Sequence, residues 1–166
     1  MANYPKSFDN SKLTSEDKLI LSDFYERREI FDVYLQSHAL KIFTCPGCSY
    51  PTLGERGGYE ICPICGWEDD NQDDPKADEV WGGPNSNLSL TENRLKIGGV
   101  LKDLAQNLNS EILSCPEEVI KAIGELEAKL STFLHENIRG NTNINDSIWE
   151  EWENFRRNSL LILIKK

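Results

Sequence analysis

Basic charge, histidine and long apolar runs are all scarce in this chain. Its 166 residues hold 18 lysines and arginines against 28 aspartates and glutamates, a formal net charge of −10. A surface of that sign repels phosphate backbones, which argues against non-specific nucleic-acid binding and makes a basic partner the natural complement. The longest apolar run, Leu160 to Ile164, is five residues, far below the roughly 20 that a membrane-spanning helix needs. Met1 to Asn10 has no basic start followed by an apolar stretch, which predicts no secretory leader and a cytoplasmic protein with reduced cysteines. The two histidines, His38 and His135, each end an amphipathic stretch. The helix dipole favours an imidazolium there, so capping accounts for both.

Four of the five cysteines stand in two identical frames, Cys45-Pro46-Gly47-Cys48 and Cys62-Pro63-Ile64-Cys65, separated by 13 residues. Each Cys-x-x-Cys lets one tight turn present two thiolates, and two such turns close a tetrahedron around one ion with no open position. The spacing therefore predicts a zinc ribbon with one structural Zn2+ held by Cys45, Cys48, Cys62 and Cys65. Pro46 and Pro63 restrict the turns, and Gly66 is free to take positive φ just after the second. A rubredoxin-like iron centre is the alternative, with Tyr50, Tyr59 and Trp67 as its apolar wrapping. The carboxylates that follow it oppose the addition of an electron to an already anionic cluster. Cys115, between Ser114 and Pro116 at a helix start, has no basic neighbour in sequence and reads as a bystander thiol.

Between Gly66 and Glu79 lie Glu68, Asp69, Asp70, Asp73, Asp74, Asp78 and Glu79 against Lys76 alone, more than half of the net charge of the chain. Asp69, Asn71 and Asp73 match the opening of a calcium loop. Asp74 then replaces the required glycine and Val80 the closing glutamate, so the match fails. The run reads instead as a solvated, partner-facing loop closed by a turn at Trp81 to Asn85.

Around this module the apolar spacing is helical. Thr14 or Ser15 caps a helix carrying Ile20, Phe24, Phe31, Tyr34 and Leu35 up to about His38. Short strands containing Ile42, Phe43, Tyr59 and Ile61 flank the knuckles. Ser89 or Thr91 opens a second helix, with a break or kink expected at Gly98-Gly99. Ser114 caps a third, with Val119, Ile123, Leu126, Leu130 and Phe133 on one face. A polar linker, Gly140 to Asn145, leads to a face of Ile148, Trp149, Trp152 and Phe155, then to Leu160 to Ile164, which the pattern leaves open between helix and strand. The expectation is an α+β fold, a small zinc ribbon with short strands embedded among amphipathic helices, in three segments: 1–41, 42–97 and 98–166.

The stretch Thr44 to Arg94 contains Cys45-Pro46, Cys48, Gly57-Gly58-Tyr59-Glu60-Ile61-Cys62-Pro63-Ile64-Cys65-Gly66-Trp67-Glu68-Asp69-Asp70, Gln72-Asp73-Asp74-Pro75, Gly82-Gly83-Pro84-Asn85 and Leu88-Ser89-Leu90-Thr91-Glu92. In these motifs it resembles the bacterial cysteine-rich CPCC family, over about a third of the chain. The family takes its name from Cys-Pro-Cys-Cys, and here Gly47 occupies the third place, leaving the Cys-x-x-Cys pair intact. The resemblance implies a small metal-binding domain and no particular activity.

Charge and motifs together lead to a non-catalytic, protein-binding zinc ribbon, an immunity or inhibitor protein that captures a basic partner such as a toxin. The carboxylates of Glu68 to Glu79 are the contact surface in this reading. A nucleic-acid-associated ribbon is the alternative, for which Lys41, Arg56, Arg94 and Lys96 are the sparse basic candidates. An enzyme would need a second metal on Asp69, Asp70, Asp73 or Asp74.

Overall fold

Thr14 opens the first long helix because its hydroxyl accepts the Asp17 N–H at 3.0 Å while the Asp17 carboxylate accepts the Thr14 N–H at 3.0 Å. This reciprocal pair satisfies two of the unpaired amides of a helix start. Helix α1 (Ser15–Ser37) buries Ile20, Phe24, Phe31 and Leu35 along one face and ends on His38. The His38 ring stacks on Tyr34 with centroids 4.0 Å apart, and its Nδ1 lies 2.9 Å from the Tyr34 carbonyl oxygen. His38 is thus the C-terminal cap that its position predicts.

The computed structural model describes residues 7–138, 143 and 146–165, which form two units, one ending at Asp103 and the other beginning at Leu104. The first unit contains α1, the cysteine knuckles, the acidic loop and most of helix α2 (Leu90–Asn107). Strands β1 (Phe43–Thr44) and β2 (Pro51–Leu53) form an antiparallel pair around the first knuckle, and Ile61 bridges Glu68 around the second. Ser89 caps α2: its hydroxyl accepts the Glu92 N–H at 3.1 Å, and Glu92 accepts the Ser89 N–H at 2.8 Å.

Helix α2 runs through Gly98-Gly99 without the expected break. A Cβ at position 98 would lie 2.3 Å from Cγ2 of Ile20. Gly98 therefore serves close approach of α1 to α2, and packing outweighs the low helix propensity of glycine.

In the second unit, strand β3 (Glu111–Ile112) pairs antiparallel with β4 (Ile164–Lys165). Helix α3 (Pro116–Asn137) buries Val119, Ala122, Ile123, Leu126 and Leu130. Its cap is Cys115, not Ser114, and no side-chain hydrogen bond is made there; Pro116 fixes the first helical φ instead. Helix α4 (Ile148–Ser159) places Phe155 in a stack with Phe133, centroids 4.6 Å apart, and Trp152 at 5.6 Å from the same ring. The indole of Trp149 donates to the Asn143 carbonyl oxygen at 2.8 Å. The ambiguous run resolves as a 3-10 turn, Leu160–Leu163, followed by β4. The polar linker expected at Gly140 to Asn145 lies outside the described residues apart from Asn143.

The architecture is mixed α+β and mostly helical. Among the described residues, no helix is long and apolar enough to cross a membrane. The expected segments 1–41 and 42–97 fall together in the first unit, because α1 packs on β1 within it.

Candidate metal centre

Each knuckle is a tight turn held by its own backbone. The Ser49 N–H reaches the Cys45 carbonyl oxygen at 2.7 Å, and the Gly66 N–H reaches that of Cys62 at 2.9 Å. The residue after each second cysteine is left-handed, Gly66 at φ 76° as its identity predicts and Ser49 at φ 67°. The two turns bring four sulfur atoms together, all within 4.8 Å of one another. Cys45 to Cys65 is 3.7 Å and Cys48 to Cys62 is 3.6 Å. A tetrahedron of thiolates about 2.3 Å from a zinc ion has edges of about 3.8 Å, so the spacing fits one tetrahedral ion.

Cys45, Cys48 and Cys62 are fully buried, and Cys65 is partly exposed. Burial pushes the Cys45 and Cys48 thiols well above their ordinary range. It opposes ionisation of Cys62 too, but hydrogen bonds from Cys45, Cys48, Cys65 and Thr52 hold that thiol well below. The Thr52 hydroxyl lies 3.2 Å from the Cys62 sulfur, and the Gly47 N–H donates to Cys45 Sγ at 3.3 Å. An all-sulfur donor set packed this closely suits zinc or iron, and a bound cation removes the cost of holding its thiolates together. Of the aromatics that an iron centre would use as wrapping, Tyr50 and Trp67 are buried, and burial pushes the Tyr50 hydroxyl up to about 12. Tyr59 is 59% exposed.

The helices grip the first knuckle by its carbonyl groups. Arg94 on α2 donates to the Pro46 oxygen at 2.9 Å, Asn93 to Gly47 at 3.1 Å, and Arg27 on α1 to Cys48 at 2.9 Å. All three carbonyls between the cysteines' ends of the turn are satisfied, as buried backbone requires. A Cβ at position 47 would fall 2.6 Å from the Asn93 amide nitrogen and 3.0 Å from Trp67 Cβ. Glycine is the residue that leaves Asn93 its place.

The acidic loop turns several of its carboxylates inward. Asp69, 1% exposed at its side chain, pairs with Arg56 at 2.9 Å and accepts the Gly57 N–H at 2.7 Å. Asp73 receives Arg28 at 2.6 Å and Arg56 at 2.7 Å. Burial disfavours its charge, but the two guanidinium groups outweigh this and hold its carboxyl well below the usual carboxylate range. Asp74 pairs with the buried Arg94 at 2.8 Å. Asp78 accepts from Thr91 and Asn10, and Glu79 from Lys76 at 3.2 Å and the Trp81 indole at 3.0 Å. Glu68 and Asp70 have no cationic partner among the described residues; the Glu68 backbone is held by Asn85, and Asp70 accepts the Gln72 N–H.

Of the basic candidates for nucleic acid, Arg56 and Arg94 are therefore engaged internally, while Lys41 and Lys96 are exposed. Among the described residues, the four cysteines are the one group of three or more potential ligands close enough to share an ion. Arg27, Arg28, Asn93 and Asn85 were not identified from sequence. Adjacent arginines on the ribbon side of an otherwise acidic helix were the available signal.

Residues 43–110 match the family described as Cysteine-rich CPCC. That segment contains all four clustered cysteines and Gly47, and the match and the cluster together support a metal-binding protein. No curated protein and no solved structure matches the chain.

Proposed function

We propose that this is a non-catalytic binding protein in which a structural zinc ion fixes the ribbon against α1 and α2. The folded unit presents an anionic surface to a basic protein partner, as an immunity or inhibitor protein does when it blocks a cationic toxin site. The observation that carries this reading is the closed centre: three of its four cysteines are fully buried and the knuckle carbonyls are gripped by helices. Such a site supplies rigidity and offers no open coordination position for chemistry. The net charge of −10 supports the sign of the partner, and charge of one sign steers encounter with its opposite. Within the loop, Glu68, Asp70 and Asp78 supply the carboxylates that have no cationic partner among the described residues.

Native mass spectrometry of the tagged chain, isolated gently from its own cells, tests both parts. One zinc per chain and a stoichiometric basic protein are expected, with association that slows as salt rises. A metal-bearing chain with no partner, or association indifferent to salt, contradicts the binding reading. Hydrogen bonds to sulfur such as those from Gly47 and Thr52 also tune iron–thiolate potentials. Stoichiometric iron with a ferric thiolate absorption would replace this proposal with electron transfer.

A further inference from the structure

The buried face of α1 does not exhaust its apolar residues. On the opposite side Leu19 is 59% exposed, Ile30 42% and Val33 61%. At 100° per residue these positions fall within about 60° of one another, Ile30 and Val33 adjacent and Leu19 about three turns earlier on the same side of the helix. Asp23, Glu26 and Glu29 lie along the same face; all three are exposed and none forms an ion pair among the described residues. The acidic loop, by contrast, has Asp69, Asp73 and Asp74 committed to Arg56, Arg28 and Arg94.

A helix packed on one face normally carries polar groups on the other. Here the outer face interleaves exposed apolar side chains with carboxylates that form no ion pair among the described residues. A second copy of this chain would bring the same carboxylates into opposition, and nucleic acid would bring phosphates. The complementary surface is apolar and flanked by cations.

We infer that the outer face of α1, centred on Leu19, Glu26, Ile30 and Val33, is the docking surface for a basic amphipathic helix of a protein partner. This rests on the basic-partner reading above and moves its centre from the loop to α1. Leucines of the partner cover these apolar side chains, and its lysines or arginines face Asp23, Glu26 and Glu29.

The probe is a peptide with leucines and lysines at helical spacing, titrated into the isotopically labelled, metal-loaded full chain at low salt and followed by amide NMR. A peptide of the same composition without the helical spacing is the control. Shifts confined to α1 are expected, weakened at least about tenfold by Leu19→Ser with Val33→Ser. Glu26→Lys with Glu29→Lys should abolish binding of the lysine peptide and create binding of its glutamate counterpart. Because all four positions are exposed, unchanged metal content and dispersion serve as the folding control. Shifts centred on residues 68–79 overturn this inference while leaving the basic-partner reading intact. Equal binding of the control peptide, or no shift anywhere, also overturns it, whereas the native mass spectrum decides the broader reading by itself. A concentration-dependent dimer abolished by the serine pair would assign the face to a second copy instead.

Discussion

In residues 7–103 the buried side chains include Asp69, Gln72, Asn93 and Arg94, whereas in residues 104–165 the interior is Val119, Ile123, Leu126, Leu130, Leu160 and Leu163, with Ser159 its one buried polar residue among those described. The first unit adds to an apolar core, with Phe24, Phe31, Leu53, Ile64 and Leu101 in it, a set of buried thiols, guanidinium–carboxylate pairs and side chains bonded to backbone carbonyls. The second is held by apolar contact. Buried polar groups are costly unless every partner is in place, so the first unit should fail as a connected system when one partner is removed. The second should yield in proportion to the volume deleted.

The largest expected effect is that of Cys62→Ser. It removes a ligand at the centre of the cluster, and structural zinc typically contributes on the order of 10 kcal/mol or more to the folding of its site. Metal content should fall below stoichiometry and the amide dispersion of the first unit should collapse, while the helical signal of α3 persists. Stoichiometric metal in this variant would break the comparison.

Next is Arg94→Ala. A hydrogen bond from a charged group contributes roughly 1.5–3 kcal/mol; here the Pro46 carbonyl loses its Arg94 donor, and Asp74, 43% exposed, loses its nearest cation while keeping Arg28 and the Tyr25 hydroxyl. Denaturant unfolding monitored at Trp67 should show the loss. Arg94→Lys should not restore it, because a single ammonium cannot reproduce the forked geometry.

Leu126→Ala sharpens the contrast from the other side. Leu126 is fully buried, and a leucine-to-alanine change in a core costs roughly 2–5 kcal/mol. The second unit alone should be destabilised, with metal stoichiometry unchanged.

The smallest effect is in pH. The folded-state carboxyl of Asp73 is held below its unfolded value by Arg28 and Arg56, so its contribution is present above an unfolded pKa of about 3.9. The contribution is lost as pH falls from there through the folded value. With metal kept saturating, Asp73→Asn should be less stable than the parent at neutral pH, and the gap should narrow below about pH 4. A gap that widens on acidification would contradict the assignment.

The Thr14 cap, Gly66 and the α3 stripe were legible in the sequence because each depends on residues a few positions apart, and the cysteine cluster because its repeated Cys-x-x-Cys frame marks both halves although Cys45 and Cys65 are 20 positions apart. The meaning of the acidic run was not. Arg28 reaches Asp73 across 45 positions and Arg94 reaches Asp74 across 20, and composition within the run carries no trace of either. Gly98 misled for a related reason: its propensity is local, but its contact with Ile20 belongs to another helix. Ser114 misled by one position, since Pro116 sets the helix start and leaves Cys115 as the cap.

The most direct test of the account is hydrogen exchange on the full chain before and after the metal is stripped by a thiol-compatible chelator. The account predicts that protection across Ser15–Ser37 and across residues 90–103 is lost, because the knuckle carbonyls no longer present themselves to Arg27, Asn93 and Arg94, while protection across Pro116–Asn137 remains. Retention of protection in α1 and α2 without metal would contradict it.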